Sequence, residues 1–432
     1  MVKPSPVLWI LASSLLLISI GSPQARGQET VLLPHEIEAK VLSRFPSVEA
    51  AAAAVAAASA RLKRARYIGD PSFELSLGRG ENRFDSSSDH EWAAAVELEL
   101  PLPRQYRASL RVGRAGERVA SAELLRVQAE ARAQIRRLVV RLAAARQRVD
   151  LLRSQATTVE GSLTFTALRV ELGEAREIER LRLQVELNRL QRRLDLARAD
   201  YAALAGALRR LSGGALPEHF TVDLPLTADL PTSSEERPAA ITLGESAAQR
   251  VKECIVAEAE ERVGLERTRR MPSLITRLES ATAFDSRSSS ISVAFKVPLW
   301  NANRSAVVLA EAHHRIALAE RELSRRRLES RLNAVQRRFE AARSSTQRFA
   351  SVALPAARAA ERIAELAYRE GETSILDLLD ARRSAQGAEL EELEARLELH
   401  LLKLDLDLLT GRLDSPVNVR GLASQGPEGD PS

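Results

Sequence analysis

From Arg104 to Leu172 the chain has no proline, and apolar residues recur in alternating steps of four and three: Ile135, Leu138, Leu142, Ala145, Val149, Leu152, Ala156, Val159 and Leu163. This spacing predicts one unbroken helix with an apolar seam that packs lengthwise against neighbours at shallow angles. The same phase returns at Leu328, Leu332, Val335, Phe339, Ala342, Thr346 and Phe349, inside a second predicted helix over 304–370. At 1.5 Å per residue each rod would be about 100 Å long. Pro355 should kink the second rod or break its hydrogen bonding. Shorter helices over 176–206 and 374–411 run back from glycine turns at Gly173 and Gly371. Two more, near 46–66 and 241–270, lead into the two halves.

Ahead of each rod the period changes from 3.5 to two. In the segment 91–101, Trp92, Ala94, Val96, Leu98 and Leu100 alternate with Ala93, Ala95, Glu97 and Glu99. In 290–299, Ile291, Val293, Phe295 and Val297 alternate with Ser292, Ala294 and Lys296. With 71–79 and 272–280 these make four predicted strands, two per half, whose alternation suits a wall between lipid and water. A sheet in a soluble protein would alternate in the same way. Trp92 and Trp300 fall at predicted strand ends, where a membrane-interface aromatic belt would lie. Four strands are too few to close a membrane barrel, and an open edge in lipid leaves backbone groups unpaired. Three chains would supply twelve strands, so a cyclic homotrimer is the economical inference.

The fold expected is therefore mainly α with a small membrane β part, built as an internal tandem repeat. The expected organisation is a signal peptide (1–27), a first repeat (28–211), an irregular linker (212–239), a second repeat (240–411) and a disordered tail (412–432). Lys3, the apolar run Val7 to Ile20 and Ala25-Arg26-Gly27 form the pattern of a secretory signal. The chain would then be exported, with no spanning helix.

Composition narrows the function classes. The formal charge of +5 comes from Arg and Glu interleaved along the helices, a solvated surface of i,i+4 pairs and not a nucleic-acid patch. Cys254 is the only cysteine, so no disulfide framework exists. His313-His314 is adjacent where a helical metal site would space ligands by four. No nucleophile, base and orienting group fall together, so neither an enzyme nor a resident cofactor or metal is expected.

The duplicated strand–strand–helix–turn–helix unit, the junctions Glu99-Leu100-Pro101-Leu102-Pro103 and Val297-Pro298-Leu299-Trp300-Asn301, and the run Tyr368 to Ala381 resemble the TolC family of outer-membrane efflux ducts. Leu354-Pro355-Ala356 with Tyr368-x-x-Gly371 and Leu378-Leu379-Asp380-Ala381 is most similar to the cobalt–zinc–cadmium branch. The resemblance implies a passive trimeric exit duct in the outer membrane, with an α-helical barrel reaching across the periplasm. Its substrate, possible metal cations among the choices, would come from an inner-membrane pump of the RND type through a periplasmic adaptor. Gly173 and Gly371 would be the tip turns, Asp377 and Asp380 the pore constriction, and Tyr368 with Glu179 a gate latch. Thr373 stands where some members carry an arginine that adds a second tie. Two carboxylates three apart share a helix face, and three copies would repel anions and raise one another's pKa. Taken alone, each is equally a helix-start carboxylate. Drug efflux and type I secretion ducts of the same fold, and a secreted coiled-coil structural protein, are the alternatives.

Overall fold

The computed structural model describes residues 30–81, 88–226, 246–283, 286–297, 300 and 302–413. The expected signal peptide, the linker beyond 226 and the tail past 413 lie outside them. The fold is mainly helical. In chain order its elements are β1 (Thr30–Leu32), α1 (Pro34–Leu42), α2 (Pro46–Ala65), β2 (Ser72–Glu81), β3 (Ser88–Leu100), α3 (Pro103–Glu171), α4 (Glu177–Leu211) and β4 (Phe220–Val222). There follow α5 (Ala247–Thr268), β5 (Ser273–Ala283), β6 (Ser286–Lys296), α6 (Arg304–Arg348), α7 (Leu354–Glu370) and α8 (Ile375–Leu409).

The 69 residues of α3 extend for about 100 Å and form the spine. Its apolar seam is buried twice. Toward the turn at Gly173, Leu152, Ala156 and Val159 pack with Leu183, Leu187 and Leu190 of α4 and with Ile375, Leu378 and Leu379 of α8. Nearer its middle, Ile135, Val139 and Leu142 pack with Ile37 and Val41 of α1 and with Leu208 and Phe220. The second rod is not continuous. A π-helical turn, Phe349–Ala353, separates α6 from α7. Pro355 has no N–H to offer the carbonyl of Ser351, which lies within that turn, and the wider turn absorbs the mismatch. Three-residue strands β1 and β4 pair in parallel, placing regular structure inside the stretch expected to be an irregular linker.

One antiparallel sheet runs β2-β3-β5-β6. Its strands reach further toward the hairpin turns than alternation indicated. Ser286 pairs with Ala283, because a backbone ladder needs no apolar side chain to continue. Trp92 accordingly lies inside β3 and not at its end. Register puts Phe73, Leu75 and Leu77 beside Val96, Ala94 and Trp92, and Leu278 beside both Val96 and Ile291. These side chains share one face that nothing covers: Phe73 is 78% and Ile291 80% exposed. The opposite face carries Glu74, Glu97, Arg277, Glu279 and Ser292. There the Arg277 guanidinium lies 3.0 Å from Glu74, 3.1 Å from Glu279 and 3.8 Å from Glu97, bracing three strands.

Among the described residues no single helix is long and apolar enough to cross a membrane. The bent pair α1–α2 passes by composition, but Ile37 and Val41 are fully buried against α3. Leu142, also fully buried, measures what the seam contributes. Leu142→Ala should destabilise the helical rod by about 2–5 kcal/mol, read as a lower melting temperature of the far-UV circular dichroism signal. An unchanged melt would show that the seam does not hold the rod together.

Candidate functional site at the helical tip

Both helical hairpins reverse on glycine. Gly173 has φ +76° and Gly371 φ +81°, the left-handed conformation that side chains rarely adopt. Each closes its helix in the same way: Glu174 N–H donates to the Arg169 carbonyl at 2.8 Å, and Glu372 N–H to the Ala367 carbonyl at 2.8 Å. The returning helices begin with acids that suit the positive end of the dipole, Glu177 and Glu179 in α4 and Asp377 in α8. Asp377 also completes a capping box. Its carboxylate accepts from the Ser374 hydroxyl at 2.7 Å and the Ser374 N–H at 3.2 Å, while Asp377 N–H donates to the Ser374 hydroxyl. The Ser374 hydroxyl, helped by its N–H, holds the Asp377 carboxyl below the usual aspartate range. In one chain the local shift is thus opposite to the rise expected from crowding carboxylates around a pore.

The two hairpins meet at Tyr368, which is 4% exposed at the end of α7. Its hydroxyl donates to Glu179 Oε2 at 3.0 Å and lies 3.2 Å from Thr166 Oγ1. Burial pushes the phenol pKa up, with the Glu179 carboxylate adding to the rise and Thr166 opposing it. The group therefore stays protonated, and a donor, far above neutral pH. Arg169 adds a contact that the sequence did not single out. Its guanidinium carbon sits 5.8 Å from the centre of the Tyr368 ring and 5.9 Å from that of Phe165, within cation–π range. Its Nε is 3.7 Å from Glu174. The first hairpin thus grips Tyr368 through three residues.

Two helical turns into α8, Arg382 is 1% exposed and donates to Ser162 of α3 at 3.0 Å. It lies 3.4 Å from Glu361 and 3.9 Å from Glu365 of α7. Burial raises the Glu361 pKa, and Arg382 works against that rise. On sequence this arginine was one of many on a solvated face; in space it ties α8 to both rods.

Asp377 and Asp380 are both exposed and line one open cleft of about 610 Å³ between the starts of α4 and α8. Arg182, Arg189 and Arg383 share it. Arg383 is committed to Glu186 at 2.6 Å, and Arg189 lies 3.6 Å from the same carboxylate. Trp92 and Trp300 are far from this tip and at opposite ends of the sheet. Trp92 pairs with Thr282, nine positions from Ser273, whose partner Lys296 precedes Trp300 by four. Nine residues span about 30 Å of strand, the thickness of a bilayer's hydrocarbon core before tilt.

Residues 243–412 match the family described as outer membrane efflux protein. A curated relative, the cobalt-zinc-cadmium resistance protein CzcC of Cupriavidus metallidurans, is 24% identical over 324 residues, covering 74% of this chain and 77% of the relative. Among solved structures, the outer-membrane channel OprN superposes with a TM-score of 0.74 at 21% identity, covering 88% of this chain and 89% of OprN. CusC superposes with a TM-score of 0.74 at 16% identity, covering 88% and 92%. The second half of the chain thus matches the outer membrane efflux protein family, and the fold that it shares with OprN and CusC extends over nearly all its length.

Proposed function

We propose that three copies of this chain form the passive outer-membrane duct of a tripartite efflux system. A periplasmic adaptor and an inner-membrane pump would deliver the substrate. The observation that carries this reading is the sheet: one face bare and apolar, the other polar and braced by Arg277, with β2 and β6 as unpaired edges. Three such sheets joined edge to edge would close a twelve-stranded barrel, apolar outward and polar inward. Read as a tandem repeat, the chain would have two strands and one rod in each half, so three chains would also supply six rods to the wall of a helical barrel. The domain boundaries given above follow from the same reading. The duct needs no chemistry of its own, since transport energy enters through the pump.

The tip is the gate. Closed, Tyr368 ties the second hairpin to Glu179, Thr166 and Arg169 of the first; opening separates the hairpins and breaks those ties. Arg169 supplies the second tie that Thr373 lacks. Asp377 and Asp380 line the constriction and favour cations over anions. Divalent metal cations are the substrate class that the relationship to a cobalt-zinc-cadmium resistance protein favours.

Single-channel recordings in planar bilayers test the gate. A hydrogen bond to a charged group is worth about 1.5–3 kcal/mol. Tyr368→Phe should therefore shift the closed–open ratio toward open by about ten- to a hundredfold per subunit, with Arg169→Gln shifting it the same way by less. Conductance matching wild type in both would sink the latch. Asp377→Asn with Asp380→Asn should relieve block by divalent cations, and block that persists unaltered would remove them from the constriction. Ser374→Ala should cost about 1 kcal/mol and speed amide hydrogen exchange at the start of α8. Because the Asp377 pKa is lowered, the stabilisation from this cap is present at neutral pH and is lost as pH falls through that lowered value. The difference in exchange between wild type and variant should therefore narrow in strong acid, where the Ser374 hydroxyl still accepts from Asp377 N–H.

A further inference from the structure

Four helix ends meet the sheet at one level: α2 and α5 end there, and α3 and α6 begin there. They are tied together. Tyr106 of α3 donates its hydroxyl to the Arg66 carbonyl at 3.1 Å, Asn303 donates to the Glu266 carbonyl at 2.8 Å, and Arg111 pairs with Glu261 at 2.8 Å across α3 and α5.

This collar carries surplus positive charge. Its acids are largely taken: Glu261 by Arg111, Glu266 by Arg269 and Glu311 by Arg267, leaving Asp70 in the α2–β2 connection and Glu99 at the end of β3. Lys63, Arg64, Arg66, Arg104, Arg107 and Arg304 are exposed, and none makes an ion pair among the described residues. At the end of α2 such cations suit the helix dipole. At the starts of α3 and α6 they oppose it, for neither first turn holds an acid, whereas α4 and α8 begin with acids. The carbonyl ends of α2 and α5 alongside offset part of that charge and leave the rest to an anion from outside.

The same level is also apolar at its surface. Tyr67 and Ile68 beyond α2, Met271 beyond α5, and Trp300 before α6 are exposed, Trp300 at 99%. Along the molecule the order is therefore apolar sheet face, then amphipathic aromatic and aliphatic side chains, then unpaired arginines. Hydrocarbon, interface and headgroup layers of a lipid leaflet follow one another in that order.

We propose that this collar binds anionic phospholipid headgroups in the leaflet facing the helical rods, and so sets the depth at which the sheet sits. It rests on the reading that the sheet lines a membrane barrel. The phosphates accept from the guanidinium groups, and Tyr67 and Trp300 lie at the boundary with the acyl chains.

The test reconstitutes the full chain into vesicles of phosphatidylcholine mixed with phosphatidylglycerol, then measures the headgroup ratio of the lipid that stays bound after extraction. Each basic residue near an anionic surface is worth about a fivefold preference. Wild type should retain phosphatidylglycerol several-fold above its share of the bulk, and the enrichment should collapse in high salt. Changing Arg66, Arg104, Arg107 and Arg304 together to Gln should bring the ratio to the bulk value, with insertion and conductance unchanged. Changing the same four to Lys should keep the enrichment. A bulk ratio for wild type, enrichment indifferent to salt, or enrichment undiminished in the Gln variant would each overturn the proposal while leaving the duct intact. A chain that does not insert into these vesicles would overturn the barrel itself and the collar with it.

Discussion

A strand at the edge of a sheet exposes a row of amide and carbonyl groups, and lipid offers them no partner. That constraint governs the molecule. The sheet formed by β2, β3, β5 and β6 has an uncovered apolar face, which water disfavours, and two open edges, which hydrocarbon forbids. In the proposed duct, closure against other copies would satisfy both. The rods would then inherit the symmetry of the barrel. Because α3 and α6 start at the sheet with tied junctions, a ring of strands would impose a ring of helices. Assembly would thus be a requirement of backbone hydrogen bonding before it is a matter of helix packing.

At the far end the helices of the proposed gate would answer to a different demand, that of being held and released. The hydrophobic seam of α3 and α4 is continued by Ile375, Leu378 and Leu379 of α8, so the second hairpin is seated on the first by burial. Polar contacts lie around that seat: Arg382 to Ser162 farther from the turn, and Tyr368 to Glu179 nearer it. Burying an arginine is costly unless it is paired, and Glu361 and Glu365 lie close enough to compensate it. The division suits a gate, with a buried brace on which the hairpins pivot and a more exposed latch closer to the tip.

Long rods are legible in the sequence because a 3.5-residue apolar step sustained over tens of residues has few other meanings. The centres of the strands are legible for the corresponding reason at period two. Their ends are not, since Ser286 to Ser290 continue the ladder with no apolar side chain to mark it, and Trp92 consequently moved from a strand end to a strand interior. The β1–β4 pair is too short to have a period, and the π turn before Pro355 is a local accommodation that only coordinates display. At the tip the glycines announce themselves chemically. Tyr368 and Glu179 are separated by 189 residues and were linked only through resemblance to a known family; the structure places them 3.0 Å apart. Arg169 and Arg382 were invisible, because a chain with arginines every few residues gives no reason to choose either until packing selects them.

Counting the latch over a trimer shows why such a duct would need a partner to open. If each subunit contributes about 1.5–3 kcal/mol through its half-buried, charge-assisted hydrogen bond, three together would hold the closed form by about 5–9 kcal/mol. Moving an equilibrium from one per cent open to ninety-nine takes about 5.5 kcal/mol of differential binding. Thermal motion alone would therefore leave the tip shut, while a protein that binds the separated hairpins with ordinary affinity could open it. Arg169 sharpens the arrangement, since its hold on the Tyr368 ring and the tyrosine's hydrogen bond to Glu179 fail together when α7 moves away. If a single displacement breaks both ties, the closed and open forms of the proposed gate would be discrete states, and a discrete gate is what a passive channel needs if the pump's delivery is to decide when it conducts.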